Sequence, residues 1–209
     1  MSSDNPSTLD STTLDTLVAR LRVLGAEDLA RAGAFIEFLV WQRRQAQDAT
    51  AEGDPRVWRA ELIDLFPAAG VAASTPDTAG LDAHPGLAVA GGIERAALFA
   101  HPPVRGECVI TLRLAIPADA GDLRLRFGYG IRDGADIADD NLIAFRVRVN
   151  GYRVWSAHTN ARRWEEADIA LPVEAGSMAA IEFRTEALGD HRYTWAAWAQ
   201  PRVIGAAAG

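Results

Sequence analysis

Two tryptophans, Trp155 and Trp164, flank a short polar stretch that carries His158, Asn160 and Arg162. The face of an indole carries partial negative charge and packs against the apolar C–H surface of a sugar ring. Imidazole, amide and guanidinium groups beside it can bond to hydroxyls. Read this way, the stretch is a glycan-binding loop, because binding residues favour loops held by a rigid scaffold. The competing reading uses the aromatic group, Tyr152 and Tyr193 included, to fill the core and ends of a β-sandwich, and it is the favoured one for Trp195 and Trp198. A second group, Asp133, Asp136, Asp139 and Asp140, lies within one acidic segment. Calcium takes six to eight oxygen ligands, so such a segment can hold a structural calcium ion. Its spacing is not that of an EF-hand, and the alternative is a solvated loop. Calcium is the one cofactor the sequence points to.

Signals for catalysis are weak. His84, His101, His158 and His191 are scattered and lack the spacing of a metal site. There is no Gly-x-Ser-x-Gly elbow, phosphate loop or dinucleotide fingerprint. The single cysteine, Cys108, has no basic neighbour in sequence to make it a nucleophile. A non-enzymatic protein is expected.

The elements that must position these residues change character near residue 85. Residues 1–10 are polar and read as a frayed tail. Leu14, Leu17, Val18, Leu21 and Leu24 then follow at helical spacing and stop at Gly25. A second helix is expected from Ala26 to about Arg44. Phe35, Phe38, Leu39 and Trp41 make it apolar over more than one stripe, so it should bury a second side against a partner or another copy. Asp54-Pro55 reads as an N-cap with proline at the first helical position, which predicts a short third helix through Phe66. Residues 11–66 are thus expected to be a helical docking or oligomerisation segment, and residues 67–85 a linker.

From residue 86 to the end the apolar spacing is two, in about eight strand candidates separated by turns, as in an all-β sandwich. Ile110 to Ile116, Leu123 to Tyr129 and Ile143 to Val149 alternate strictly, so each sheet has one buried and one wet face. Asn150-Gly151 is a two-residue hairpin signal. Arg113, Arg124, Arg126, Arg146, Arg148 and Arg184 take the outward parity; they read either as one exposed sheet face for an anion or acidic partner or, as favoured, as a wet face laced with Glu107, Asp122, Glu182 and other acids. The predicted fold class is mainly β with an α-helical N-terminal segment, the β part being an antiparallel, jelly-roll-like sandwich.

The chain has 209 residues and a net charge of −7, with only arginine among its cations. Nearly all of that charge lies in the first 85 residues. An acidic balance argues against nucleic acid as a partner, since phosphate binding needs a basic footprint. The start is polar and acidic, and the most apolar stretch, Ala34 to Trp41, is interrupted by Glu37. These features predict a cytoplasmic protein with no membrane partner.

The β-strand residues also carry a family likeness. Ala96-Ala97-Leu98-Phe99-Ala100-His101-Pro102-Pro103 comes first, followed by Leu125-Arg126-Phe127-Gly128-Tyr129-Gly130-Ile131-Arg132-Asp133. Phe145-Arg146-Val147-Arg148-Val149-Asn150-Gly151 and Tyr193-Thr194-Trp195-Ala196-Ala197-Trp198-Ala199-Gln200-Pro201-Arg202 complete the order. Over residues 86–204 this resembles bacterial jelly-roll modules related to the carbohydrate-binding modules appended to some glycoside hydrolases. The pattern departs at Thr194, where such modules often carry Asp. The resemblance implies a jelly roll and a glycan ligand. Taken with the apolar second helix, the reading that follows is a non-catalytic binding or assembly protein that docks to itself or to a protein partner through its helices. Its alternative is a carbohydrate-binding module using loop aromatics.

Overall fold

The computed structural model describes residues 11–25, 29 and 57–207. The chain forms two units, Met1–Gly53 and Asp54–Gly209. In the first, α1 spans Ser11–Arg22, with Arg20 and Arg22 in its last turn where cations suit the negative end of the helix dipole. The second helix expected from Ala26, with Phe35, Phe38, Leu39 and Trp41, lies outside the described residues. No helix among the described residues is long and apolar enough to cross a membrane.

The second unit is an antiparallel sandwich of eleven strands: β1 Val57–Glu61, β2 Gly70–Ala73, β3 Asp82–Ala90, β4 Ile93–His101, β5 Glu107–Ala115, β6 Ala120–Ile131, β7 Ile143–Val149, β8 Tyr152–Thr159, β9 Glu165–Ala170, β10 Met178–Ala187 and β11 Ala196–Ala207. The first sheet runs β3-β4-β11-β6-β9, with β1 also on β11, and the second runs β2-β5-β10-β7-β8. Strict alternation does its expected work. On β10, Ala179, Ile181, Phe183 and Thr185 point inward and are fully buried, while Ala180, Glu182 and Arg184 point outward.

Trp198 is the centre of the core. It is fully buried, with ring centroids of Phe183, Phe145 and Phe127 at 4.9, 5.1 and 5.3 Å in tilted or edge-on contact. Such geometry sets the positive edge of one ring on the negative face of the next. The Thr185 hydroxyl on β10 donates to the Ala100 carbonyl on β4, a hydrogen bond that joins the two sheets. Beside it Cys108 is buried, and desolvation pushes its thiol up to about 12. The thiolate is the reactive form. Iodoacetamide at pH 8 should therefore leave the native protein unlabelled and label it at once in denaturant; mass spectrometry showing rapid native labelling would contradict this burial.

The structure corrects the expected boundaries. Residues 57–66 are not one α-helix. Val57–Glu61 is a strand paired with β11, Val57 opposite Ala206 through to Glu61 opposite Arg202, and Leu62–Ala68 is a 3-10 turn that buries Leu62. The cause is a break in β11. At Gln200-Pro201 the strand bulges, with Gln200 at φ 44° and a proline that lacks an N–H. β4 pairs with Ala197–Ala199 before the bulge, and β1 takes the edge after it. Pairing thereby overrides the helical spacing of Trp58, Leu62 and Leu65. The expected linker, 67–85, holds β2, which adds to β5, and the start of β3. The sandwich therefore starts at Val57, not at residue 86.

The hairpin at Asn150-Gly151 forms as expected, both residues taking positive φ (50° and 84°). The arginines do not share one face. Arg124 and Arg126 lie on the first sheet, both bonded to Asp168. Arg146 and Arg184 lie on the second, converging on Glu107 with Glu186 and Glu182 alongside.

Candidate functional site

One end of the sandwich is built from the β6–β7 loop (132–142), the β8–β9 loop (160–164), the β10–β11 loop (188–195) and the Gly91-Gly92 turn. Asp133 fixes the base of the first loop, since its two carboxylate oxygens accept the N–H groups of Gly91 and Gly92, each at 2.8 Å. Both glycines have positive φ (61° and 74°), which aims successive N–H groups at one anion. The Asn160 amide donates to the Asp139 carbonyl at 2.5 Å, and Arg162 to the Ile137 carbonyl at 3.2 Å. The Asn141 amide donates to the Asp190 carbonyl at 2.6 Å, tying the β6–β7 loop to the β10–β11 loop. A Cβ on Gly189 would fall 2.7 Å from Asn141 Oδ1, so this closure needs glycine.

Between these two loops lies an open depression of about 390 Å³, lined by Asp136, Asp140, Asn141, Asp190, Arg192 and Tyr193. Asp190 accepts from Arg192 Nε at 2.8 Å and from the Arg192 backbone N–H at 3.0 Å. These bonds pull its carboxyl down to about 2, so it is a permanent anion at working pH. Tyr193 takes φ 60° and stands 50% exposed, its ring centroid 6.5 Å from that of Trp195. That left-handed residue explains why β11 begins at Ala196 rather than at Tyr193. Leu142 and Leu188, joined by a backbone hydrogen bond, are also exposed near this depression. The site thus offers fixed carboxylate acceptors, a planar cationic donor and an aromatic face.

The five residues expected to form a glycan loop are not brought together. Trp155 faces the interior, 5.0 Å from Phe127 and 4.8 Å from Tyr129, as part of the aromatic core. Trp164 lies on the outer face of the first sheet, 8% exposed, over Ala88, Ala90, Ala97, Ala197 and Ala199. Its indole N–H is spent on the Ile93 carbonyl at 2.8 Å. His158 is exposed on the outer face of the second sheet, opposite Ala144. Asn160 and Arg162 hold loop backbone. The acidic segment is spread along its loop. Asp133 is committed to the Gly91-Gly92 turn, and among the described residues no group of three or more His, Cys, Asp or Glu side chains is placed to hold a metal. Asp190, Arg192 and Tyr193 went unread as a unit. Their signal was the polar run Gly189-Asp190-His191-Arg192 between two strands.

No protein-family model and no curated protein sequence matches the chain. Solved structures similar to it include carbohydrate-binding modules and the enzymatically active domain of a bacteriophage CBA120 tailspike protein, the latter at 13% identity and TM-score 0.37 over 65% of this chain and 18% of that one. One is the CBM51 of a Clostridium perfringens family GH95 enzyme in complex with methyl-galactose, at 15% identity and TM-score 0.45, covering 70% of this chain and 99% of that one. Another is CBM51-2 with INT domains of Clostridium perfringens ZmpB in complex with GlcNAc, at 12% identity and TM-score 0.47. There the match covers 71% of this chain and 32% of the other. A family 35 module from Clostridium thermocellum matches at 14% identity and TM-score 0.39, over 71% of this chain and 96% of its own.

Proposed function

We propose that the sandwich is a non-catalytic carbohydrate-binding module whose seat is the loop-end depression. The observation that carries this reading is the half-exposed Tyr193 ring standing beside the Asp190–Arg192 pair. A sugar has apolar C–H faces rimmed by hydroxyls that both donate and accept. A ring takes the first, a fixed carboxylate accepts from the hydroxyls, and a guanidinium donates to them. The depression is open and preformed, which suits the end or side of a glycan chain. Asp190, held ionised by Arg192, serves there as an acceptor and not as a proton donor. Phe35, Phe38, Leu39 and Trp41, the residues expected to dock a partner, lie outside the described residues and add nothing to this reading.

Glycan-array screening of the full chain followed by titration calorimetry tests it. Tyr193→Ala should weaken the best glycan by about tenfold or more, the loss of roughly 1.4 kcal/mol. Failure of the folded protein to bind any glycan would reject the proposal.

A further inference from the structure

On the outer face of the first sheet, His84 and Arg132 both pack on the Phe99 ring, and His101 and His191 lie near each other. Strand pairing sets Asp82 opposite His101 and His84 opposite Phe99. His191 lies 6.4 Å from His101 between ring centroids. Arg132 enters this patch from the start of the β6–β7 loop. Its backbone N–H donates to the Trp195 carbonyl at 3.0 Å, and the neighbouring Asp133 is pinned to the Gly91-Gly92 turn, so the root of the side chain is fixed.

The guanidinium is held by rings. Arg132 Cζ lies 4.1 Å from the Phe99 ring centroid and 5.5 Å from that of Trp195, while His84 stacks on Phe99 at 4.4 Å. Yet its donors are unspent. Among the described residues Arg132 makes no ion pair and no side-chain hydrogen bond, in contrast to Arg124, Arg126, Arg146, Arg184 and Arg192, each of which has a carboxylate. Asp82 acts on Arg132 only through its field, and partial burial lowers the guanidinium's own proton affinity. A half-desolvated cation fixed between aromatic rings with its donors open to the surface lacks a partner, and the partner that matches a planar fork is a planar carboxylate held by two parallel N–H···O bonds.

We propose that Arg132 is the specificity residue for a carboxylate-bearing sugar. This rests on the glycan reading above. Trp195 neighbours both Tyr193 and Arg132, at 6.5 Å between ring centroids and 5.5 Å from the guanidinium carbon, so a chain seated against Tyr193 can reach the guanidinium with the acidic group of an adjoining residue. The Asp136, Asp140 and Asp190 carboxylates line the depression itself, which places neutral sugar there and the acid at Arg132.

The test is titration calorimetry on the full chain with matched pairs that differ only at C6: oligogalacturonate against oligogalactose, and methyl glucuronide against methyl glucoside. The acidic member of one pair should bind at least about tenfold more tightly, with the advantage reduced by added salt. Arg132→Gln and Arg132→Lys, each confirmed folded by circular dichroism, should bring the ratio close to one, the lysine variant because a point charge lacks the fork. Equal binding of both members by the native protein would overturn this inference and leave the glycan reading standing. Binding of no member and no arrayed glycan would overturn both. Tighter binding of a glutamate-rich peptide, with the same dependence on Arg132, would overturn the assignment to a sugar.

Discussion

Trp164→Ala should lower the stability of the sandwich by about 3–5 kcal/mol, the usual cost of removing a large buried aromatic side chain. For a unit of this size that corresponds to a fall in melting temperature of roughly 10 °C or more. The reason is the small-residue floor beneath the ring. Alanines at 88, 90, 97, 197 and 199 form a shallow bed on the outer face of the first sheet, which Trp164 from the β8–β9 loop covers together with Phe99. Its N–H closes on Ile93, and Arg95, itself 5% exposed and paired with Glu166, lies with Cζ 5.7 Å over the ring. Removing the indole would uncover the floor and the arginine together. Chemical denaturation checks the result. A change within about 0.5 kcal/mol is the behaviour of a surface residue and would show the ring to be a free platform instead.

Gly130→Ala should be the second large effect, for a reason of space. A Cβ on Gly130 would lie 2.1 Å from the Arg163 carbonyl oxygen. That oxygen is backbone, in a segment anchored on one side by the Ile131 N–H bonded to the Ala161 carbonyl and on the other by Trp164. The loop must lift, at a cost of about 1–3 kcal/mol, and it carries Trp164 with it. The same strand provides the control. At Gly121 the nearest atom to an added Cβ is 3.9 Å away, so Gly121→Ala should be neutral or slightly stabilising. Equal melting temperatures for the two variants would contradict the close approach of loop and sheet.

These two residues also show where sequence reading reaches its limit. The inward sets Ile110-Leu112-Leu114 and Phe145-Val147-Val149 announce themselves by period two, and the structure buries each of them. Asn150-Gly151 announces its turn by chemistry. Facing, however, depends on register. Trp155 and Trp164 look alike from the polar loop between them, but a bulge between Val147 and Arg148 and the pairing of β8 with β7 turn Trp155 into the core. Trp164 belongs to the parity of β9 that lies outside. β1 was hidden for a similar reason. Its residues carry helical spacing, and only the unpaired half of β11, far along the chain, makes them a strand. The depression is closed by Asn141 reaching a carbonyl 49 residues away, a contact that no local window contains. Arg132 follows directly on a recognisable stretch of β6 residues, yet what sets it apart, a guanidinium seated against the Phe99 and Trp195 rings, is visible only in three dimensions.

The bulge at Gln200-Pro201 decides how this protein can be cut. Because β4 and β1 occupy successive halves of one strand, the sheet's continuity passes through residues that precede the recognisable repeat of strands. A fragment begun at residue 86 would strip Arg202–Ala206 of their β1 partners, leaving them paired with β6 alone, and remove fully buried Leu62 from the core. It would present an open strand edge flanked by apolar surface, the usual template for self-association. Oligomers seen in such a fragment would report the cut rather than the protein. A fragment that keeps the whole sandwich must include β1 from Val57.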